Sequence, residues 1–322
     1  MGEAEALFGQ PWPELQAAAW GVRERCHPAE LAFAVPGVKR YDTEHYCNTP
    51  HRFVAVSVTG QDCVLQCEHC RGRLLAGMRS APTPDALLAL GGHLMERGCS
   101  GLLLSGGAEA DGCVPLKQHL PAIGRLKERG LRVIVHTGLV DAETAAGLKA
   151  AGVDQVLVDI VGDGDTVHEV LHLDRSPADY ASTLARLREA GLRVAPHVVI
   201  GLHFGQLRGE LTALDIIRQV GADVLVLVVL RPLSRTPMAG LPGVSPEEIG
   251  RLAATARILN AGIPLSLGCA RPAGRARPEI ERMAVLAGVN TVAFPDPATV
   301  SLAGKLGLRT RFYESCCTLD VA

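Results

Sequence analysis

Hydrophobic positions along the chain recur as one repeated unit: a helix-like segment, a glycine, then a short and nearly continuous apolar run. The copies read LMERGCSGLLLSGG, LKERGLRVIVHTG, LKAAGVDQVLVDIVG, LREAGLRVAPHVVIG, IRQVGADVLVLVVL, ILNAGIPLSLGC and VLAGVNTVAFP. Each central glycine stands where the end of a helix takes a left-handed residue. These glycines are Gly98, Gly130, Gly152, Gly191, Gly221, Gly262 and Gly288. Continuous apolar runs are typical of parallel strands that are buried on both faces.

With RFVAVSVTG counted first, the pattern predicts eight strands that alternate with helices. This order predicts an α/β fold, a (βα)8 TIM-type barrel over residues 51–305, either closed or partly open. A doubly wound open sheet is the alternative, and the regular spacing across the whole chain favours the barrel. Residues 1–50 are predicted to be an N-terminal extension and residues 306–322 a C-terminal tail, both lying over the barrel mouth.

Composition narrows the classes of partner. The 322 residues are 48% hydrophobic and 20% charged, with a net charge of -2 and no basic run. A sizeable core is therefore expected, and neither nucleic acid nor a membrane is expected as a partner. The N-terminus lacks the pattern of a secretory signal, and the apolar runs are too short to span a bilayer. We expect a cytoplasmic protein.

Ten cysteines in a chain of this kind indicate metal or redox chemistry rather than a disulfide framework. Cys63, Cys67 and Cys70 follow the first predicted strand with the spacing C-x3-C-x2-C. Active sites of TIM barrels lie at the carboxyl ends of the strands, which is where this loop falls. Cys99 and Cys113 are interpreted as structural thiols.

Three thiolates in one loop are suited to an iron–sulfur cluster. A [4Fe–4S] cube held by three cysteines keeps one iron open to a substrate or cofactor. The alternative is a zinc site completed by His69.

The triplet after the first strand of a barrel resembles the signature of the radical S-adenosylmethionine (SAM) superfamily. The resemblance implies that Cys63, Cys67 and Cys70 hold a [4Fe–4S] cluster whose open iron chelates SAM. It also implies that one electron cleaves SAM to methionine and a 5'-deoxyadenosyl radical, which abstracts a substrate hydrogen atom.

Two further segments resemble the parts of that fold that contact SAM. SGGAE resembles the glycine-rich segment that meets the methionine amine, which implies backbone contacts from Gly106 and Gly107. The family often has Gly-Gly-Glu, whereas here Ala108 stands before Glu109, the third candidate in this segment. HVVIGLHFGQ, which contains Gly201, resembles the fifth-strand segment that contacts the adenine.

Two charged residues complete the predicted SAM site. Arg175, in LDRSPADY, falls where related enzymes place an arginine near the SAM carboxylate; a solvated arginine at a helix start is the alternative. Asp159, which ends the fourth predicted strand, is a candidate for the ribose hydroxyls or a cap for the next loop.

Across residues 50–310 the layout resembles biotin synthase, with LREAGLRV, VVIGL, SRTPM and SLGCARP as the matching segments. Biotin synthase holds an auxiliary cluster with cysteines on interior strands and one arginine. Here Ala195 or Pro196 stands where a thiol is expected, and Cys269 stands near the place of the arginine. We therefore expect a homologue that does not use that cluster.

The remaining thiols suggest a second cluster at another place. Cys47 lies before the first predicted strand, and Cys316 and Cys317 lie in the tail. Adjacent cysteines are poor partners for a mutual disulfide, so these three are predicted to be ligands of an auxiliary cluster. Cys269 is predicted to be a substitute ligand or a substrate-side thiol, and with Cys316 and Cys317 it forms the candidate catalytic set.

This combination resembles the split lipoyl synthases, in which two biotin-synthase-like proteins work as a pair. The resemblance implies sulfur insertion from the auxiliary cluster into an octanoyl-lysine substrate. The implied partners are an octanoylated carrier domain or peptide, a second radical SAM protein and an external electron donor. Two alternatives stay open: a biotin-synthase-like enzyme of another cofactor pathway, and a non-catalytic iron–sulfur or zinc protein.

Overall fold

Every pairing between neighbouring strands in the central sheet is parallel. The computed structural model describes residues 2–321. Over that range the sheet has eleven strands in the order β11-β1-β10-β9-β8-β7-β6-β5-β4-β2-β3. The strands are β1 (Glu30–Ala34), β2 (Phe53–Ser57), β3 (Arg79–Ser80), β4 (Gly101–Ser105), β5 (Arg132–Thr137), β6 (Gln155–Asp159), β7 (Val194–Ile200), β8 (Leu225–Val229), β9 (Leu265–Leu267), β10 (Thr291–Ala293) and β11 (Arg309–Tyr313).

Helices alternate with most of these strands. They are α1 (Glu3–Phe8), α2 (Trp12–Cys26), α3 (Pro84–Glu96), α4 (Leu120–Glu128), α5 (Ala142–Ala150), α6 (Pro177–Glu189), α7 (Glu210–Val220), α8 (Pro246–Leu259), α9 (Ala276–Leu286) and α10 (Pro297–Lys305). Short helical turns occupy Arg73–Gly77, Lys117–His119 and Thr166–Val170. From residue 2 to residue 321, no helix is long and apolar enough to cross a bilayer.

Local sequence signals set the helix starts and ends. Thr83, Ser245 and Asp296 precede α3, α8 and α10, and each side chain accepts a hydrogen bond from a backbone N–H of the first turn. A proline at the first helical position follows each of these caps. Six of the seven repeated glycines have positive φ, as predicted, and Gly262 is the exception.

The eight predicted strands are all present and are adjacent in chain order, from β2 through β4 to β10. A doubly wound sheet reverses its strand order at a switch point, and this sheet does not, so the barrel prediction is confirmed. The sheet remains open because β3 and β11 each pair with one neighbour within the described chain. It is therefore a curled, partly open barrel.

The sheet is larger than the repeated pattern predicts, because both extensions contribute strands. β1 is buried along its whole length between β10 and β11. β11 reads RTRFY, and its exposed arginines hide it from a search for continuous apolar runs. α2, in the same N-terminal extension, packs against α8 on the outside of the sheet.

The C-terminal tail was predicted to lie over the barrel mouth, but it also enters the barrel interior. Leu319 and Val321 pack against an apolar interior cluster. That cluster comprises Phe53, Ile134, Leu157, Ala195, Val224 and Val226. Asp320 pairs with Arg132, the first residue of β5, at 3.0 Å. The tail therefore fills the interior down to the amino ends of the strands.

Candidate active site

The loop between β2 and β3 carries the cysteine triplet. Cys67 and Cys70 are buried and Cys63 is half-buried, and the three thiols are near enough to act on one another electrostatically. Gln66 and Arg71 adopt positive φ values of 46° and 47°, so the chain turns sharply on both sides of Cys67. The predicted three-thiol site is thus assembled by one tightly turned loop.

A second segment, residues 166–172, fixes this loop in place. The backbone N–H of Glu68 donates to the carbonyl of Val170 at 2.9 Å. The ring of His172 contacts the Leu65 carbonyl at 2.8 Å and the Glu68 carboxylate at 2.9 Å. These bonds hold the middle of the cysteine loop against the segment that follows β6.

Burial and charge control the protonation of the triplet. Burial raises the pKa of Cys67 to about 12, and the thiols of Cys70 and Cys63 add to the rise. Burial also raises the pKa of Cys70. Because metal ligands must be thiolates, loading this site releases protons, and the buried thiols are protonated without a metal.

The spacing of the thiols fits a polynuclear cluster better than a single zinc ion. Sulfur ligands of one zinc ion at about 2.3 Å can be no more than roughly 4.6 Å apart. Throughout residues 2–321, the only three ligand atoms within 4.8 Å of one another belong to His136, Asp159 and His197. No three ligand atoms of the cysteine triplet and His69 are this close in the structure, and three thiols in one buried loop suit an iron–sulfur cluster.

The glycine segment after β4 packs directly on the cysteine loop. A Cβ on Gly107 would lie 2.0 Å from the Asp62 carbonyl oxygen and 2.5 Å from the Cys63 Cα. The Gly107 N–H donates to the Thr59 hydroxyl at 2.7 Å. Only glycine allows this approach, which brings the predicted backbone contact beside the triplet.

The two predicted site residues near Gly107, which are Gly106 and Glu109, are placed differently. A Cβ on Gly106 would lie 3.0 Å from a methyl carbon of Thr59, so this glycine also packs on the loop. Glu109 is exposed, and its backbone N–H donates to the Cys113 carbonyl. The side chain of Glu109 is therefore on the surface, and its role at SAM stays a prediction.

Gly201 directly follows β7 and has a positive φ of 80°. Its N–H donates to the buried carboxylate of Glu210 at 2.7 Å, and Glu210 also accepts from the Arg208 N–H at 2.5 Å. Burial raises the pKa of Glu210. Glu210 was not among the predicted site residues; a carboxylate at the first position of a helix gives no sign in sequence that it is buried.

Arg175 stands apart from the other candidates. It is exposed just before α6, and its guanidinium donates to the carbonyl of the preceding Asp174 at 3.3 Å. This placement agrees with the solvated alternative given above, and the role beside the SAM carboxylate stays a prediction.

Asp159 lies inside the sheet next to two imidazoles. The distance from its Oδ1 to His136 Nε2 is 3.5 Å, and the rings of His136 and His197 are edge to face at 5.3 Å. Burial raises the pKa of Asp159, but His136, His197 and His69 outweigh it and bring the pKa to about 2. Asp159 is therefore a carboxylate surrounded by histidines, and the sequence predicted only this one member of the group.

The tail thiols lie near Cys269, which was predicted as a substitute ligand. Cys316 and Cys317 interact with each other, and both act electrostatically on Cys269. The pKa of Cys316 is lowered to about 7 because the Cys317 thiol and the Thr318 hydroxyl donate to its sulfur. The Cys269 residue is exposed at its surface, but desolvation by the surrounding barrel raises the pKa of its thiol. Cys269, Cys316 and Cys317 form one group of thiols in the barrel.

Cys47 is the other predicted ligand of the second cluster. It is exposed, and its sulfur is 4.0 Å from the carbonyl oxygen of Asn48. The nearby Tyr46 stacks on Phe312 at 4.8 Å, so the segment lies beside β11. The segment is also tied to the tail, because the Tyr46 hydroxyl and the Thr49 N–H donate to the Glu314 carboxylate at 3.2 and 2.7 Å, so Cys47 stays a predicted ligand beside Cys269.

Comparison with known proteins agrees with this geometry. The Radical SAM superfamily pattern matches residues 57–214, which include the cysteine loop and the glycine segment. A biotin synthase of Stenotrophomonas maltophilia (strain K279a) is 25% identical over 302 residues, covering 91% of this chain and 80% of its own. Biotin synthase 2 of Paracoccus denitrificans is 28% identical over 223 residues, 62% of this chain and 67% of its own.

Two solved structures share the fold. The [FeFe]-hydrogenase maturase HydG has a TM-score of 0.64 at 16% identity, over 90% of this chain and 63% of its own. Methylornithine synthase (PylB) has a TM-score of 0.64 at 13% identity, over 96% of this chain and 93% of its own. The chain is a radical SAM enzyme. Within that superfamily it is biotin-synthase-like, and membership implies a [4Fe–4S] cluster and SAM as cofactors.

Proposed function

We propose that this enzyme inserts sulfur into an octanoyl-lysine substrate, as a subunit of a two-protein lipoyl synthase. The observation that carries the proposal is the pair of thiol sets joined through one barrel interior. Asp159 acts electrostatically on Cys67 and Cys70 of the first set, and its neighbour His136 acts on Cys316 of the second. A substrate between them is within reach of both.

Each thiol set has its own task. Cys63, Cys67 and Cys70 would hold a [4Fe–4S] cluster, which with SAM would supply the radical for hydrogen abstraction. Cys316 and Cys317 would hold a second cluster as the source of sulfur. We take Cys269, which acts electrostatically on the tail thiols, as the third thiol of the second set, with Cys47 as the alternative.

The apolar interior cluster explains why two thiols of the second set belong to the tail. In biotin-synthase-like proteins the expected thiol position on the fifth predicted strand corresponds to Ala195 or Pro196. Ala195 belongs to the apolar interior cluster, against which Cys316, Leu319 and Val321 pack. The tail therefore occupies this layer with apolar side chains and brings its own thiols instead.

The partners follow from the proposed reaction. The substrate is an octanoylated carrier domain or peptide, a second radical SAM protein adds the other sulfur atom, and an external donor supplies electrons. A reducing compartment such as the cytoplasm suits a chain in which all ten cysteines are free.

A second candidate is a biotin-synthase-like enzyme that acts on a more polar substrate. The observation that favours it is the charged group of His136, Asp159 and His197 inside the barrel, which offers hydrogen-bond partners that an alkyl chain cannot use. The two candidates differ in whether an octanoyl group is thiolated.

The test uses anaerobic protein, an octanoyl-lysine peptide, SAM and a reductant, with mass spectrometry of the peptide. We expect a gain of one sulfur per peptide. The double variant Cys316→Ala/Cys317→Ala should still form 5'-deoxyadenosine but transfer no sulfur, whereas Cys113→Ala, which alters a half-buried thiol outside both sets, should behave as wild type. Normal thiolation by the double variant would refute the proposal.

Iron analysis distinguishes Cys269 from Cys47 as the third cysteine ligand of the second cluster. The triple variant Cys63→Ala/Cys67→Ala/Cys70→Ala should still reconstitute about four iron atoms per chain. Adding Cys269→Ala to that background should abolish the remaining iron, and adding Cys47→Ala should leave it. The reverse result would restore Cys47 as the ligand.

A further inference from the structure

Three interior side chains remain without a role in sulfur insertion. His136 on β5, Asp159 at the end of β6 and His197 on β7 come from adjacent parallel strands, and Asp159 and His197 are direct partners in the strand register. One ligand atom from each lies within 4.8 Å of the other two. Among residues 2–321 no other three histidine, cysteine or acidic residues meet in this way.

The alternation of side chains along a strand explains why His136, Asp159 and His197 lie on the same face of the sheet. Side chains two residues apart in a strand face the same side. Ile134, Leu157 and Ala195 form part of the apolar interior cluster. His136, Asp159 and His197 lie two residues further along the same three strands. His197 is buried, whereas His136 and Asp159 are half-buried and reach the space inside the sheet, so the three polar side chains converge where a bound ion could enter.

The protonation of the group suits a cation. His197 Nδ1 is 2.9 Å from the Ala195 carbonyl oxygen, so Nδ1 carries the proton and donates, and Nε2 keeps its lone pair. Burial, followed by the charge of His136, lowers the pKa of His197 to about 4, and the ring is neutral at pH 7. Asp159 is ionised. Burial lowers the pKa of His136, but Asp159 outweighs it and the pKa is raised, so a bound cation would take the place of the His136 proton. The group therefore offers a carboxylate and the neutral imidazole of His197.

We propose that His136, Asp159 and His197 bind one divalent transition-metal ion of the zinc or iron(II) class. Two imidazoles and one carboxylate are a common donor set for such ions, in sites that keep coordination positions open. The 3.5 Å between His136 Nε2 and Asp159 Oδ1 suits two atoms that are each about 2.1 Å from one ion. Small rotations of the rings close the remaining spacing.

The open positions would face the space between the two thiol sets. Asp159 acts on Cys67 and Cys70 on one side, and His136 acts on Cys316 on the other. An ion there can coordinate a polar group of the substrate. In this proposal Asp159 is a ligand of the metal and does not bind the ribose of SAM. The site does not depend on sulfur insertion, so it stands or fails separately from the lipoyl proposal.

The test is a zinc titration of full-length protein whose cysteine sites have first been loaded anaerobically with iron and sulfide. Calorimetry and elemental analysis should show about one added zinc ion per chain. X-ray absorption at the zinc edge should show nitrogen and oxygen ligands without sulfur. His197→Ala should weaken binding by about a hundredfold or more. The control His93→Ala, which changes an exposed residue of α3, should leave binding unchanged.

Asp159→Asn keeps the volume of the side chain and serves if the alanine variant does not fold. It should also lose the ion, because an amide oxygen replaces a charged ligand. The proposal is overturned if wild type holds no more zinc, and no more iron beyond its clusters, than these two variants. Sulfur in the coordination shell of the added zinc would overturn it equally.

Discussion

Replacement of Gly107 by alanine tests how closely the glycine segment supports the cysteine loop. The added Cβ would lie 2.0 Å from the Asp62 carbonyl oxygen, about 1 Å inside the closest approach of 3.0 Å that real Cβ atoms show. The atoms in the way are backbone atoms of the cysteine loop, including the Cys63 Cα at 2.5 Å. The loop, or the glycine segment, must therefore move by about 1 Å.

That displacement sets the expected magnitude. Inserting a methyl group into a closely packed region costs roughly 1–3 kcal/mol. Misplacing reacting groups by 1 Å can lower a rate by about a hundredfold. Because Gly107 contacts the loop that presents Cys63, we expect Gly107→Ala to lower 5'-deoxyadenosine formation by about that factor while the barrel stays folded.

Gly124→Ala is the matched control. Gly124 lies inside α4, and a Cβ added there would meet no atom within 4 Å beyond the helix itself. Alanine is there expected to stabilise the protein by roughly 0.5–1 kcal/mol without changing SAM cleavage. The assay measures 5'-deoxyadenosine, iron per chain and the thermal midpoint of all three proteins. Equal cleavage by Gly107→Ala and wild type would refute the close-packing argument.

Two further predictions compare ion pairs of different burial. Glu281 is fully buried against Arg271 at 2.6 Å, and Glu281→Gln should lower the free energy of unfolding by about 3–5 kcal/mol in urea titrations. Burial raises the pKa of Glu281, but Arg271 outweighs it and the pKa is lowered, so this stabilisation is present above about pH 4.5 and is lost as the pH falls below that value. Asp320→Asn, at the half-exposed pair with Arg132, should cost about 1 kcal/mol or less, and an equal loss in both variants would contradict the burial argument.

The sequence predicts the parts of this molecule that follow from local pattern. The repeated glycines and apolar runs predict the eight central strands, because each unit carries its own helix end and buried strand. The cysteine triplet is readable because its three thiols lie within one loop. The close backbone contact at Gly107 can be predicted because glycine allows such an approach.

Features that depend on contacts between distant parts of the chain cannot be predicted from local sequence patterns. β11 is charged on its exposed face, and its pairing with β1 joins residues far apart in sequence. Cys269 meets Cys316 only because the tail turns into the barrel. Asp159 is visible as a strand end, but His136 and His197 become its neighbours only through the register of three strands.

The most direct test of the account measures SAM cleavage at the cysteine triplet. Anaerobically reconstituted wild-type protein, given SAM and a strong reductant, should form 5'-deoxyadenosine. Cys67→Ala should abolish it, because two thiols hold the cluster poorly, while Cys99→Ala, which removes a buried thiol that donates to the Gly101 carbonyl, should retain it. Undiminished cleavage by Cys67→Ala, or none by wild type with a loaded cluster, would contradict the assignment of this loop as the radical-generating site.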